Sequence, residues 1–150
     1  MDNFLKQMWL YNDWANKLLF ESFKQNEARV PYACMHLLSH IMNAQSRWLS
    51  RLEIRKASTG VWDDHSLETC VAMHTNTADG IAAQIAKQEA NPESAPLKCY
   101  TTDGREFQNN INDILLHIFN HGTYHRAQIA QEMRKNGLDP VNTDYIQFVR

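Results

Sequence analysis

Helix-breaking residues are scarce in this chain, and their positions divide it. Only five glycines and four prolines occur in 150 residues. Long stretches have neither, which favours helices. Between the breakers, apolar side chains recur at three- and four-residue steps, the spacing that puts them on one face of a helix. Phe4, Met8, Tyr11, Ala15, Leu18 and Leu19 form such a stripe and predict a helix over residues 3–25. Trp9, Leu10 and Phe20 fall outside it. A helix that is apolar on a second side needs a second partner, either through deep burial in a bundle or against another copy of the chain.

The same pattern predicts three more helices. Pro31 suits the first turn of a second helix over residues 32–55, where Cys34, Leu37, Leu38, Ile41, Ala44, Gln45, Trp48 and Leu52 share a face. Residues 56–65 break the period with Gly60 and a polar cluster. Ser66 then offers an N-cap to a third helix over residues 67–90, lined by Leu67, Val71, His74, Ala78, Ile81 and Ile85. Pro92 and Pro96 close it. Between residues 97 and 108 the period shortens to two around an Asp103-Gly104 turn, which reads as a β-hairpin that must lie against the helices. Asn109 or Asn110 can cap a fourth helix over residues 110–136, ended by Gly137 and Pro140. Four such helices joined by short to moderate connections make an all-α four-helix bundle, here one domain over residues 1–150, with a short hairpin before the last long helix.

Composition narrows the function classes. A hydrophobic fraction of 43% argues against disorder, and a formal charge of −2 with both signs scattered gives no surface for nucleic acid. No stretch approaches the roughly 20 apolar residues of a membrane span. The first residues lack a basic start followed by an apolar run, so no signal peptide is expected. Cys34, Cys70 and Cys99 are odd in number and lack C-x-x-C spacing, which reads as reduced thiols in a cytoplasmic protein.

The chemistry concentrates in His117, His121 and His125, each four residues from the next. About 100° of helix per residue puts His125 about 40° from the centre of its stripe, His121 about 80° and His117 about 120°. On the second helix, His40 lies about 100° from the stripe centre and His36 about 140°. The inward set is therefore His40, His121 and His125. Three imidazoles from two facing helices can hold a divalent metal and leave a position open for water or substrate. Against this stands the ordinary origin of such patterns: a single stripe-edge histidine is usually a partly buried, hydrogen-bonded side chain. His74 reads as core and His65 as a loop residue. Tyr124 and Arg126 point away from the proposed site, and Gln128 lies nearer to His121.

Larger segments carry a family resemblance. Leu115 to Ile129, Leu37 to Trp48, and the ending Gly137-Leu138-Asp139-Pro140 with Thr143 to Phe148 resemble the DinB-like (DinB/YfiT) proteins across essentially the whole chain. The resemblance implies an up-down-down-up four-helix bundle, often homodimeric. It implies a divalent metal held by one histidine of helix two and the H-x-x-x-H pair of helix four, which map onto His40, His121 and His125. It also implies metal-dependent transfer or isomerisation with a low-molecular-weight thiol such as bacillithiol or mycothiol. Family members often carry Glu five residues after the helix-two histidine, where this chain has Gln45.

The resulting expectation is a metal-dependent transferase acting on a small electrophilic substrate, with zinc, nickel or iron lowering the pKa of a bound thiol. A metal-dependent hydrolase and a non-enzymatic metal-binding or stress-response bundle are the alternatives.

Overall fold

A computed structural model describes residues 4–101 and 103–150. Asn3, the expected first residue of the first helix, and Thr102 of the expected hairpin lie outside the described residues. Four long helices dominate: α1 (Phe4–Asn26), α2 (Tyr32–Leu52), α3 (Leu67–Ala90) and α4 (Ile111–Lys135). A hairpin of β1 (Leu97–Tyr100) and β2 (Glu106–Asn109) precedes α4, and a short helix, α5 (Tyr145–Phe148), follows it. The hairpin is antiparallel, with Cys99 opposite Phe107. Gly104 sits at φ 84°, a conformation glycine adopts without the penalty a Cβ would bring. Among the described residues of the hairpin only Cys99 is buried, while Phe107 remains exposed.

Two apolar clusters fill the bundle. One gathers Phe23, Leu38, Met42, Cys70, Ile129 and Met133, and the other Trp9, Leu49, Ile81, Leu115, Ile118 and Phe119. Their order along each helix gives the topology. α1 and α4 pass from the Trp9–Phe119 cluster to the Phe23–Met133 cluster, whereas α2 and α3 pass the other way. The bundle is therefore up-down-down-up. Since α2 and α3 run in the same direction, residues 53–66 must cross back along the length of the bundle, and they do so against α2.

Between the clusters lies a buried polar layer that the stripes did not predict. Gln45 Nε2 donates to His74 Nδ1 at 3.1 Å and to Thr77 Oγ1 at 2.7 Å, while Gln45 Oε1 accepts from Asn12 Nδ2 at 3.2 Å. His74 Nε2 donates to Asp13 Oδ1 at 2.8 Å. The Arg126 guanidinium reaches Asn16 Oδ1 at 2.8 Å and Asn12 Oδ1 at 3.2 Å. Gly122 makes room for it, because a Cβ there would stand 2.8 Å from Arg126 Nη1. Each buried polar group in such a layer needs its partner, since an unmet one costs about 1–3 kcal/mol.

Several local expectations shift. Trp9 and Phe20 are buried against His74 inside the chain, which leaves Leu10 as the exposed residue of the three. Val71 is exposed, and the buried face of α3 runs instead through Cys70, His74, Thr77 and Ile81. α2 ends at Leu52 rather than residue 55, because Ile54 turns the chain at φ 54° while Arg55 N returns to Ser50 O at 2.8 Å. Ser66 caps α3 as expected, its Oγ accepting from Thr69 N at 3.1 Å. Asn110 holds the N-cap position of α4, where its carbonyl accepts from Ile114 N at 3.1 Å but its side chain makes no cap bond. No helix among the described residues is long and apolar enough to cross a membrane. The three cysteines are free and buried, and burial pushes the Cys34 and Cys70 thiols up to about 11, which makes them poor nucleophiles at neutral pH.

Candidate metal centre

α2 and α4 pack side by side, and their facing edges bring His40, His121 and His125 together. His121 Nε2 lies 3.1 Å from His40 Nε2 and 3.1 Å from His125 Nε2. One ligand atom from each residue falls within 4.8 Å of the others. For comparison, nitrogens at about 2.0–2.1 Å from a tetrahedral zinc stand about 3.3 Å apart. His40 and His125 are buried and His121 is half-buried.

The protonation pattern is set by the outer ring nitrogens. His40 Nδ1 donates to the carbonyl of Val61 at 2.9 Å, and His125 Nδ1 donates to Gln128 Oε1 at 2.7 Å. With Nδ1 protonated, both Nε2 atoms carry lone pairs and turn them toward His121. Three imidazole nitrogens crowded so closely repel one another unless a cation or proton lies among them. Burial first, then the neighbouring imidazoles, holds His121 down to about 3 and lowers His40 from its ordinary value. A second proton on His121, which would make it an imidazolium, is thus disfavoured, and the neutral donor set fits a first-row divalent cation. Among the described residues, no cysteine or carboxylate joins the group.

The crossover forms one wall of this centre. Trp62 stacks on the His40 ring with centroids 3.7 Å apart and planes 8° apart. His36, one turn earlier on α2, stacks at 5.1 Å on Trp62, and its Nδ1 lies 2.6 Å from Asp64 Oδ1. On the other wall, Tyr124 meets His125 edge-on at 5.0 Å, and exposed His117 stands 5.6 Å from His121 as a neighbour on the rim.

The remaining candidates divide cleanly. Gln45 faces the polar layer and takes no part in the histidine cluster. Arg126 turns away, as the helical wheel indicates, but into the core rather than to solvent. His74 is core and bonded to Asp13. His65, a loop residue, bonds back to Asn43. Gln128 serves as the acceptor for His125, not for His121. Sequence spacing could not reveal Val61 or Trp62, because they reach His40 only through the path of the crossover. A groove of about 740 Å³ between α1, α4 and the tail, lined by Tyr11, Arg126 and Tyr145, touches none of the three histidines.

A profile of the DinB family matches residues 3–150. The chain belongs to the DinB family. It is also 22% identical over 160 residues to a curated protein named Protein DinB from Bacillus subtilis (strain 168), covering 97% of this chain and 93% of the relative. Membership of the DinB family and the three-histidine cluster together fit a metal-binding protein.

Proposed function

We propose that this DinB-family protein is a divalent-metal-dependent enzyme that transfers a low-molecular-weight thiol to a small electrophilic substrate. The observation that carries this reading is the convergence of three Nε2 atoms, two of them turned inward by bonds on the opposite ring nitrogen. His40, His121 and His125 would hold the ion; zinc, nickel and iron all suit imidazole. A metal in this set lowers the pKa of a bound thiol so that it is nucleophilic near neutral pH. The chain's own part is to keep His40 and His121 neutral by burial, to fix His40 and His125 by hydrogen bonds, and to wall the site with Trp62 and Tyr124. Three protein ligands would leave a coordination position open, which favours catalysis over a closed structural site. A hydrolase would use the same centre with water as the nucleophile.

We place the protein in the cytoplasm, where a reduced thiol cosubstrate is available, and propose a homodimer. Exposed Phe4, Leu10 and Leu116 offer apolar surface on α1 and α4 to a second copy. Sedimentation at several concentrations tests the dimer.

The central test is elemental analysis of tag-free protein beside His40→Ala and His125→Ala. One equivalent of metal in the wild type and its loss in both variants supports the site, while equal content in all three refutes it. Metal-loaded protein is then incubated with a thiol and a small electrophile, and thiol consumption is followed. Consumption that depends on both metal and His121 supports transfer; release of product without thiol loss points to hydrolysis.

A further inference from the structure

The Asn43 side chain is fully buried on α2, one turn from His40, and uses both ends of its amide on the crossover. Its Nδ2 donates to the carbonyl of Val61 at 3.2 Å and to that of Asp63 at 2.8 Å. Its Oδ1 accepts from Thr59 Oγ1 at 2.8 Å and from His65 Nε2 at 2.6 Å. The Val61 carbonyl is also the acceptor for His40 Nδ1. One carbonyl therefore receives both the amide that anchors the loop and the imidazole that faces the cluster.

We propose that Asn43 is the positioning residue for His40, acting through the Val61 carbonyl it holds in place. This rests on the reading of His40 as a metal ligand. An imidazole presents a lone pair at Nε2 only when its proton sits on Nδ1, and the bond made by Nδ1 decides which tautomer forms. The Val61 carbonyl belongs to a loop without regular structure, so its position depends on side chains that tether the loop. Asn43 is the tether that bonds this carbonyl directly. It also fixes the peptide that carries Trp62 onto the His40 ring. Arg47 and Ser39 tether the same crossover elsewhere, at Thr59 O and His65, and neither bonds Val61.

Asn43→Asp separates positioning from general support. It keeps the shape and the acceptor oxygen but sets a carboxylate oxygen against two carbonyls. Thr59→Val removes a bond to Asn43 while leaving the Val61 bond intact. Two readouts are taken: the ring-nitrogen signals of His40 by long-range 1H–15N NMR on metal-free protein at about pH 8, where histidine is mostly neutral, and zinc affinity by chelator competition. Wild type and Thr59→Val are expected to show His40 protonated on Nδ1 and to bind zinc alike. Asn43→Asp should show mixed tautomers and bind zinc about 10–100-fold more weakly. Should Asn43→Asp fail to fold, Asn43→Ala makes the same comparison. A wild-type His40 protonated on Nε2, or an Asn43 variant with wild-type tautomer and affinity, overturns the proposal. If the wild type binds no zinc, the reading of the metal centre fails, and the tautomer of the metal-free protein still decides the role of Asn43.

Discussion

Gln128 Oε1 accepts the Nδ1 proton of His125 across a single turn of α4, at 2.7 Å. This bond points His125 Nε2 at the other two imidazoles and makes the nitrogen more electron-rich. Gln128→Leu removes the acceptor while keeping a helix-favouring side chain of similar bulk, and metal affinity is expected to fall by about 10-fold or more. Gln128→Glu supplies an anionic acceptor and should bind metal at least as tightly as wild type. Competition against a chromophoric chelator reads both. Equal affinity for Gln128→Leu and wild type would show that His125 is held by packing alone.

The metal-free protein should lose stability in acid through its own histidines. Burial and neighbouring imidazoles set the folded pKa of His121 at about 3, below the ordinary 6.5 that the unfolded chain shows. His40 and His74 are lowered too, each chiefly by burial. Below 6.5 the unfolded chain takes up protons that the folded chain refuses, so stability falls as pH falls. The contribution is complete above 6.5 and drains away toward the folded values. Denaturant titrations of metal-free protein between pH 7.5 and about pH 4.5 should show a steady fall in the midpoint. Replacing His121 with Gln should flatten the slope, and an unchanged slope would remove His121 from the cause. Bound metal should hold the midpoint up over the upper part of that range, because it binds only neutral imidazole.

The helices, the hairpin and the inward histidine pair of α4 were legible because each is written in local periodicity. His121 and His125 share one helix, so their relative direction follows from about 100° per residue. The polar layer was not legible in the same way. Asn12, Asn16 and Arg126 lie in no apolar stripe, and their mutual bonds offset part of the cost of burying them, with Asn16 Nδ2 and Arg126 Nε left without a partner among the described residues. Val61, Trp62 and Asn43 meet His40 through the return path of residues 53–66, and a loop path has no sequence period. Gln45 falls on the inward face of helix two as its stripe indicates, but its partners on α1 and α3 carry no sequence period.

Gln45 joins three helices, bonding Asn12 on α1 and both His74 and Thr77 on α3. Gln45→Leu would fit the space and leave those groups without their partner in the core. A loss of about 2 kcal/mol or more is expected, since an unmet buried group costs about 1–3 kcal/mol. At about 2–4 °C per kcal/mol for a chain of this size, the melting temperature should fall measurably. Metal content should be unchanged. If metal is lost along with stability, Gln45 acts on the histidine cluster as well as on the core.

Ile54 carries the opposite opportunity, because it is the residue that turns α2 into the crossover. Its φ of 54° is left-handed, and its side chain is 87% exposed. A β-branched residue in that region meets its own backbone, at a cost of about 1–2 kcal/mol. The bond from Arg55 N to Ser50 O shows why the conformation persists, since it closes the end of the helix in the manner that glycine or asparagine usually serves. Ile54→Asn gives up almost no buried area and relieves the clash. It should raise stability by about 0.5–1 kcal/mol, seen as a later denaturant midpoint with an unchanged slope. Ile54→Val keeps the β-branch and should gain nothing. If both variants match the wild type, the exposed turn carries no strain, and α2 ends at Leu52 for another reason.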